Sequence, residues 1–391
     1  AFRYGGVEME GRSLLGAADV DDGTLEEYAC AALGVEGGVL VEASVEEFGY
    51  DLASITTAGR YLVRGVVDTE GGQRPFGLFV KVVQSFARSP FFAEVPAPLR
   101  EFAEATVPWR TEVNVYRSDL CRRLPRGLRM PRAVAVVDLD DRSAALWLEE
   151  VHAVPVAWGP ARYRHAARLL GRLAGSPTVA ELAGLSGIDW TLRTYLEGRL
   201  RHAVLPMLED DALWRHPLVA GSFDDALRRR LLDAAGRVEE IVDEAVALPH
   251  TASHGDACPN NLLATSGDPD FTLIDYGFWM SQPAGSDLGQ LLVGNVQIGA
   301  ERAGDLRARD DANLAAYVAG LRDEGCSIDA AAVRRGHALH LLLLSGLSCV
   351  PHELLDRDPT PELVAVAADR AAIARFCLDR LDETEEHRTS G

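Results

Sequence analysis

The chain has 391 residues, 47% hydrophobic and 25% charged, which is enough apolar content for a substantial core and excludes disorder. Fifty-nine acidic against 39 basic residues leaves at most 39 positive side chains and a formal net charge of −20, a sign that argues against nucleic acid or an anionic membrane surface as partner. No apolar run reaches the ~20 residues that cross a bilayer, and six scattered cysteines without a C-x-x-C pair argue against a zinc ribbon or a dense disulfide framework and for a reducing cytoplasm.

In chain order, residues 24–33 (TLEEYACAAL) read as a short amphipathic helix with Thr24 as N-cap, ended by Gly34, within an N-terminal helical extension over 1–35. Glycine-bounded, β-branched segments follow at 38–48 and 61–67, and FGLFVKVV at 76–83 pairs with the second across EGGQ at 70–73. A Pro- and Phe-rich connection over 85–108 leads to 109–124, where Val113, Tyr116, Leu120 and Leu124 share one helical side. Strands at 133–138 and 144–148 complete a small sheet. Beyond Glu150 the patterns are helical, at 161–174, 224–247, 287–298, 310–324, 330–349 and 361–381. The expected architecture is α+β and two-lobed: a β-rich unit over 36–150 and a mostly helical unit over 151–391, joined near Glu149.

Every basic residue is arginine except Lys81. A GC-rich coding bias accounts for the arginines, but the one retained lysine marks a position that wants a compact ammonium and not a planar fork. Lys81 lies between Val80 and Val82 on a strand, so there is no Walker A loop, and neither G-x-G-x-x-G nor H-E-x-x-H occurs.

The informative stretch is SHGDACPNNLLATSGDPDFTLIDYGFW, residues 253–279, where two apolar strands flank the turn sequence SGDPD. A hairpin centred on Asp268 places Asn261 opposite Asp275, and cross-strand partners start ~4.5–5.5 Å apart, close enough to share a hard cation such as Mg²⁺. Asp256, in a loop that Pro259 keeps from becoming helical, reaches the same site and can accept a hydroxyl proton. His254 reads as structural, packing and hydrogen-bonding the loop.

H-G-D-x-x-x-x-N followed by D-Y-G, with a strand lysine far upstream, matches the parts needed for phosphoryl transfer. On these residues, over roughly 45–300, the chain resembles the aminoglycoside phosphotransferase and choline kinase-like family of small-molecule kinases with the bilobal protein-kinase-like fold. The resemblance implies that Lys81 grips the α- and β-phosphates of ATP, or of GTP, with Glu112 as its ion-pair partner. It implies Asp256 as general base, Asn261 and Asp275 on Mg²⁺, and Glu149 to Val151 as the backbone hinge for the base. Asp287 corresponds to a family aspartate read as structural, capping a helix and bracing the catalytic loop.

The segment from Phe48 to Tyr61, where the phosphate-covering loop belongs, holds Gly49 and Gly59 without a glycine-rich fingerprint, so Thr56 and Thr57 are its candidate contacts. Cys258 reads as a small neutral side chain in the catalytic loop. The Phe91-Phe92 pair is core packing or part of a lid.

Twelve positions separate Asp275 from Asp287 and no A-P-E follows, which leaves little platform for a polypeptide. The expected acceptor is a small hydroxyl-bearing molecule, such as an aminoglycoside, another antibiotic or an amino sugar, in a pocket built from 178–222 and the helices after 287. Choline-like alcohols and homoserine are the primary-metabolite alternatives, and a catalytically silent nucleotide-binding module is the alternative of another class. Glu209-Asp210-Asp211, Asp310-Asp311 and Glu353 read as solvated helix ends, and His337 and His340 as buried or substrate-lining residues. Oligomeric state is left open.

Overall fold

The computed structural model describes residues 9–49, 54–188, 190–265 and 270–389, with side chains as far as Glu386. The N-terminal part is built on strands β1 (Met9–Glu10), β2 (Val39–Glu47), β3 (Thr57–Thr69) and β4 (Gly72–Gln84), followed by the short β5 (Leu128–Arg129), β6 (Ala133–Asp140) and β7 (Ser143–Glu149). Six of these form one sheet in the order β1-β2-β3-β4-β7-β6, antiparallel except for the parallel β1–β2 pair.

Alternation along β4 gives this sheet two dissimilar faces. Leu78 and Val80 join Val63, Val67 and Trp147 in a core closed by Leu25 and Ala29 of the Asp22–Leu33 helix. Phe79, Lys81 and Val83 point the other way, toward the Thr111–Arg117 helix, which contributes Val113 and Val115 to the second core. One face is thus sealed by the N-terminal extension, and the other is left for the cleft.

Local chemistry moves several expected boundaries. Asp21 and not Thr24 caps the first helix, its carboxylate accepting the Thr24 N–H at 2.8 Å, while Gly34 ends it in the left-handed conformation as expected. The extension is not purely helical, because β1 joins the sheet. The 109–124 stretch divides into Thr111–Arg117 and Leu120–Arg123, since extended Ser118 turns its hydroxyl to the Leu120 N–H. The 224–247 stretch likewise breaks after Gly236 into Asp225–Gly236 and Val238–Ala247. In the 85–108 connection Phe92 packs edge-on against Phe86 at 5.3 Å, and Phe91 is exposed.

The C-terminal part is helical, with two small sheets inserted where the chemistry is expected. Strand β8 (His250–Ser253) pairs with β11 (Met280–Pro283), and β10 (Phe271–Leu273) lies between β9 (Leu262–Leu263) and β5. The turn centred on Asp268 lies outside the described residues. Beneath these strands the Pro160–Gly175 and Leu306–Asp323 helices approach to backbone contact through reciprocal glycines. A Cβ on Gly171 would lie 2.1 Å from the Tyr317 carbonyl oxygen, and one on Gly320 would lie 2.1 Å from that of Arg168. No side chain can swing away from a backbone clash, so the helices themselves must part. Gly320→Ala is expected to cost about 1–3 kcal/mol, read as a lowered denaturant midpoint at unchanged slope.

Candidate active site

Lys81 and Glu112 are both almost fully buried, and the ammonium lies 2.6 Å from Glu112 Oε2 and 3.0 Å from Asp275 Oδ1. Burial by itself would lower the lysine pKa, but the Asp275 and Glu112 carboxylates outweigh it and raise it, so Lys81 stays charged. For Glu112 the balance goes the other way: desolvation lifts its pKa against the pull of Lys81.

The loop that follows β8 is shaped by Gly255, whose φ of 83° is left-handed and whose Cβ position would fall 2.0 Å from the Phe278 carbonyl oxygen. Buried Asp287 holds this loop. Its Oδ1 accepts from the Ser253 hydroxyl at 2.7 Å and the Gly255 N–H at 2.9 Å, and its Oδ2 accepts from the His254 N–H at 3.0 Å. Asp287 therefore braces the loop, but it sits in the first turn of its helix, with Ser286 at the cap position. The buried His254 ring meets the Ile274 carbonyl through Nε2 at 3.0 Å, tying the loop to the end of β10.

Asn261 Nδ2 donates to Asp256 twice, to the backbone carbonyl at 2.8 Å and to Oδ2 at 3.1 Å. With its nitrogen so engaged, Asn261 has Oδ1 to offer a cation. The expected register is off by one: β9 and β10 pair Leu262 with Leu273 and Leu263 with Thr272, and the Ile274 N–H donates to the Asn261 carbonyl. Asn261 therefore stands opposite Ile274, not Asp275. A one-residue slip would send Asp275 to the wrong face, but its backbone is left-handed, with φ 63° and ψ 68°, and it alone among the described non-glycine residues has positive φ. That conformation, sparsely populated for a non-glycine residue, turns the carboxylate back to Lys81.

Two carboxylates in one site are pushed apart in acidity. Desolvation, with Asp275 adding to it, raises the Asp256 pKa above the usual 3.8 against His254 and the Asn261 hydrogen bond. Asp275 is desolvated too, but Lys81, Arg60 and His254 bring it below the usual value. One carboxylate is thereby more basic and the other stays ionised. Burial, then the Asp256 charge, drives the Cys258 thiol up to about 12, so it is a neutral neighbour and not a thiolate.

The donors fit a hard cation: Asn261 Oδ1 and the Asp275 oxygen not held by Lys81, on a side chain that is 38% exposed. Magnesium is commonly bound by one or two carboxylates, with substrate phosphates and water completing the shell. The remaining candidates lie around this centre. Thr56 and Thr57 are half-buried where the chain enters β3, the Thr56 carbonyl accepting from the Gln84 N–H. The N–H groups of Glu149 and Glu150 are held by the carbonyls of Arg132 and Gly77, and Val151 follows where β7 has ended. Arg60, directly across β3–β4 from Lys81, was not among the expected residues. The expected turn at 70–73 would have set Leu62 opposite Lys81; the strands instead pair Thr69 with Gly72, two residues out of that register, and this brings Arg60 there.

A β-rich lobe set on a helical lobe, with the lysine of one meeting the carboxylate of the other, is the architecture of a kinase-like phosphotransferase. The model of the APH phosphotransferase enzyme family matches residues 87–323, more than half of the chain, and the chain belongs to that family, as a small-molecule kinase. The matched segment includes Glu112, Asp256, Asn261 and Asp275 and begins after Lys81. Among solved structures, the chain is similar to an aminoglycoside phosphotransferase from Alicyclobacillus acidocaldarius subsp. acidocaldarius DSM 446, at 13% identity and TM-score 0.47 over 88% of this chain and 92% of that one. It is also similar to amicoumacin kinase hAmiN in complex with AMP-PNP, Ca²⁺ and Ami, at 13% identity and TM-score 0.46 over 87% and 88%. A third similarity is to APH(3'')-Id from Streptomyces rimosus ATCC10970, at 19% identity and TM-score 0.39 over 77% and 92%. No curated protein matches the chain.

Two expectations follow from the loop. Because the Asp256 pKa is raised, the carboxylate protonates earlier as pH falls, so ¹³C NMR of the nucleotide-free protein should give it a midpoint above 3.8. Removing the Asp275 charge in Asp275→Asn should lower that midpoint, since Asp275 is one of the groups raising it. Asp287→Ala, which removes the acceptor shared by the Ser253 hydroxyl and the His254 and Gly255 N–H groups, should reduce kcat while nucleotide affinity measured by calorimetry is retained.

Proposed function

We propose that this kinase transfers the γ-phosphate of ATP to a hydroxyl of a small molecule, with Asp256 as the general base. The observation that carries the reading is convergence: a buried ammonium from β4, a carboxylate of raised pKa bonded to an amide in the loop after β8, and a second carboxylate at the end of β10 come together. Lys81, fixed by Glu112, binds the α- and β-phosphates. Asp256, held by Asn261, orients the acceptor hydroxyl and takes its proton as the oxygen attacks. Asn261 and Asp275 hold Mg²⁺, which supplies neutralisation of the charge on the phosphate oxygens. Thr56 and Thr57 lie over the phosphates, and the backbone from Glu149 to Val151 takes the base, with GTP as the alternative nucleotide.

The acceptor is a hydroxyl-bearing antibiotic or amino sugar, received between the 178–222 stretch and the helices after 287. The acidic groups do not form a ready cationic subsite. Asp211 pairs with Arg228, Asp311 with Arg380 and Glu353 with Arg370. Asp310 is not a solvated helix end as expected but fully buried, 2.8 Å from both His337 Nε2 and Arg380 Nε. The net charge of −20 therefore gives little reason to favour a polycation as acceptor.

A coupled ADP-release screen over aminoglycosides, other hydroxyl-bearing antibiotics, amino sugars, choline-like alcohols and homoserine tests the reading. Asp256→Asn should lower kcat on the best acceptor by about 10²–10⁴ while nucleotide binding persists, and unchanged turnover would refute the assigned base. Asp275→Asn should weaken nucleotide binding in the presence of Mg²⁺. Equal affinity with and without the ion in the unmodified enzyme would refute the metal site.

A further inference from the structure

Arg60 has no role in the scheme above, yet the sheet delivers it to the phosphate side of the cleft. The β3–β4 ladder sets it directly opposite Lys81, and antiparallel partners share a face with Cβ atoms ~4.5–5.5 Å apart. The packing identifies the face. Val63 and Val67 lie in the core under the N-terminal helix with Leu78 and Val80, so Arg60 and Leu62 share the opposite side with Phe79 and Lys81. Just before Arg60 the ladder slips between Thr57 and Gly59, a bulge of the kind that bends a strand and re-aims the side chains beyond it. Asp275 is within electrostatic reach of the guanidinium. Further along the same face Arg64 is committed elsewhere, to Glu46 at 2.6 Å and Glu150 at 2.5 Å.

We propose that Arg60 is a second phosphate-binding cation, contacting the nucleotide's phosphate chain beside Lys81, an inference that rests on the nucleotide site described above. Lys81 already meets two carboxylates, Glu112 and Asp275, so these three side chains together carry a net negative charge. The segment from Phe48 to Tyr61 carries only Gly49 and Gly59, well separated, and lacks the glycine run whose backbone N–H groups cradle phosphate in other nucleotide loops. A guanidinium on the adjoining strand supplies the missing positive field, and its planar fork can engage two phosphate oxygens at once where an ammonium acts as a point charge.

Calorimetric titration of the unmodified enzyme, Arg60→Met, Arg60→Lys and Lys81→Met with adenosine, MgADP and magnesium AMP-PNP tests this. Arg60→Met should bind adenosine as the unmodified enzyme does and bind both phosphorylated nucleotides about 10- to 100-fold more weakly, the worth of a hydrogen bond to a charged group. Arg60→Lys should recover part of that loss. Undiminished binding of MgADP and AMP-PNP by Arg60→Met would overturn the proposal, as would an equal loss for adenosine, which would mark a structural role in the strand. Binding weakened by Lys81→Met but not by Arg60→Met removes the arginine alone. No magnesium-dependent nucleotide binding by the unmodified enzyme, or none lost in Lys81→Met, removes the site reading and this inference with it.

Discussion

At the candidate site the two lobes are joined through one ammonium. Lys81, on a central strand of the N-terminal sheet, is held by Glu112 from the adjoining helix and by Asp275 from the end of β10, almost two hundred residues further along the chain. Two carboxylates and one cation out of water make a net negative group whose desolvation is costly, so the arrangement is tolerable only because the cleft stays partly open at Asp275. In the state described here Asp275 Oδ1 serves Lys81. The phosphate chain of a nucleotide would compete for that ammonium and leave both carboxylate oxygens to a metal ion. Glu112, almost fully buried and 2.6 Å from the ammonium, would remain its partner.

How the carboxylates are held explains why the same low dielectric gives them different acidities. Asp275 has Lys81 in contact and Arg60 within electrostatic reach, so its ionised form is favoured despite burial. Asp256 has an amide and a thiol at hand, and its charged form is disfavoured. Neither side chain chooses this environment alone. Gly255 against the Phe278 carbonyl and three hydrogen bonds to Asp287 fix the backbone that presents Asp256, and a left-handed residue presents Asp275. The backbone strain of the site is thus at Asp275, since glycine takes the left-handed region without steric cost.

Much of this was legible from the residues. The retained lysine, the H-G-D-x-x-x-x-N spacing and D-Y-G named side chains that the fold does bring together, and alternation placed Lys81 on a strand. The hairpin register was not legible, because it depended on an assumed turn centre, and alternation cannot announce a left-handed residue at Asp275. The pairing of Asn261 with Asp275 was argued from a register that does not occur. Arg60 was not legible either, because the turn expected at 70–73 sets Leu62 opposite Lys81 and an arginine among thirty-eight carries no compositional signal. Helix breaks at Ser118 and Arg237 escaped because apolar periodicity runs straight across a kink.

The contrast between Lys81 and the arginines elsewhere is itself a geometric consequence. Exposed acidic side chains such as Asp211, Asp311 and Glu353 meet guanidinium forks that reach them from neighbouring helices. At position 81 two carboxylates approach a single nitrogen at 2.6 and 3.0 Å from opposite lobes, in a pocket closed on most sides. A planar group with its donors spread over three nitrogens would present different atoms to the two carboxylates in place of a single shared one. A bias toward arginine can therefore act on exposed pairs of this kind, while the buried position where one nitrogen serves two carboxylates keeps its ammonium.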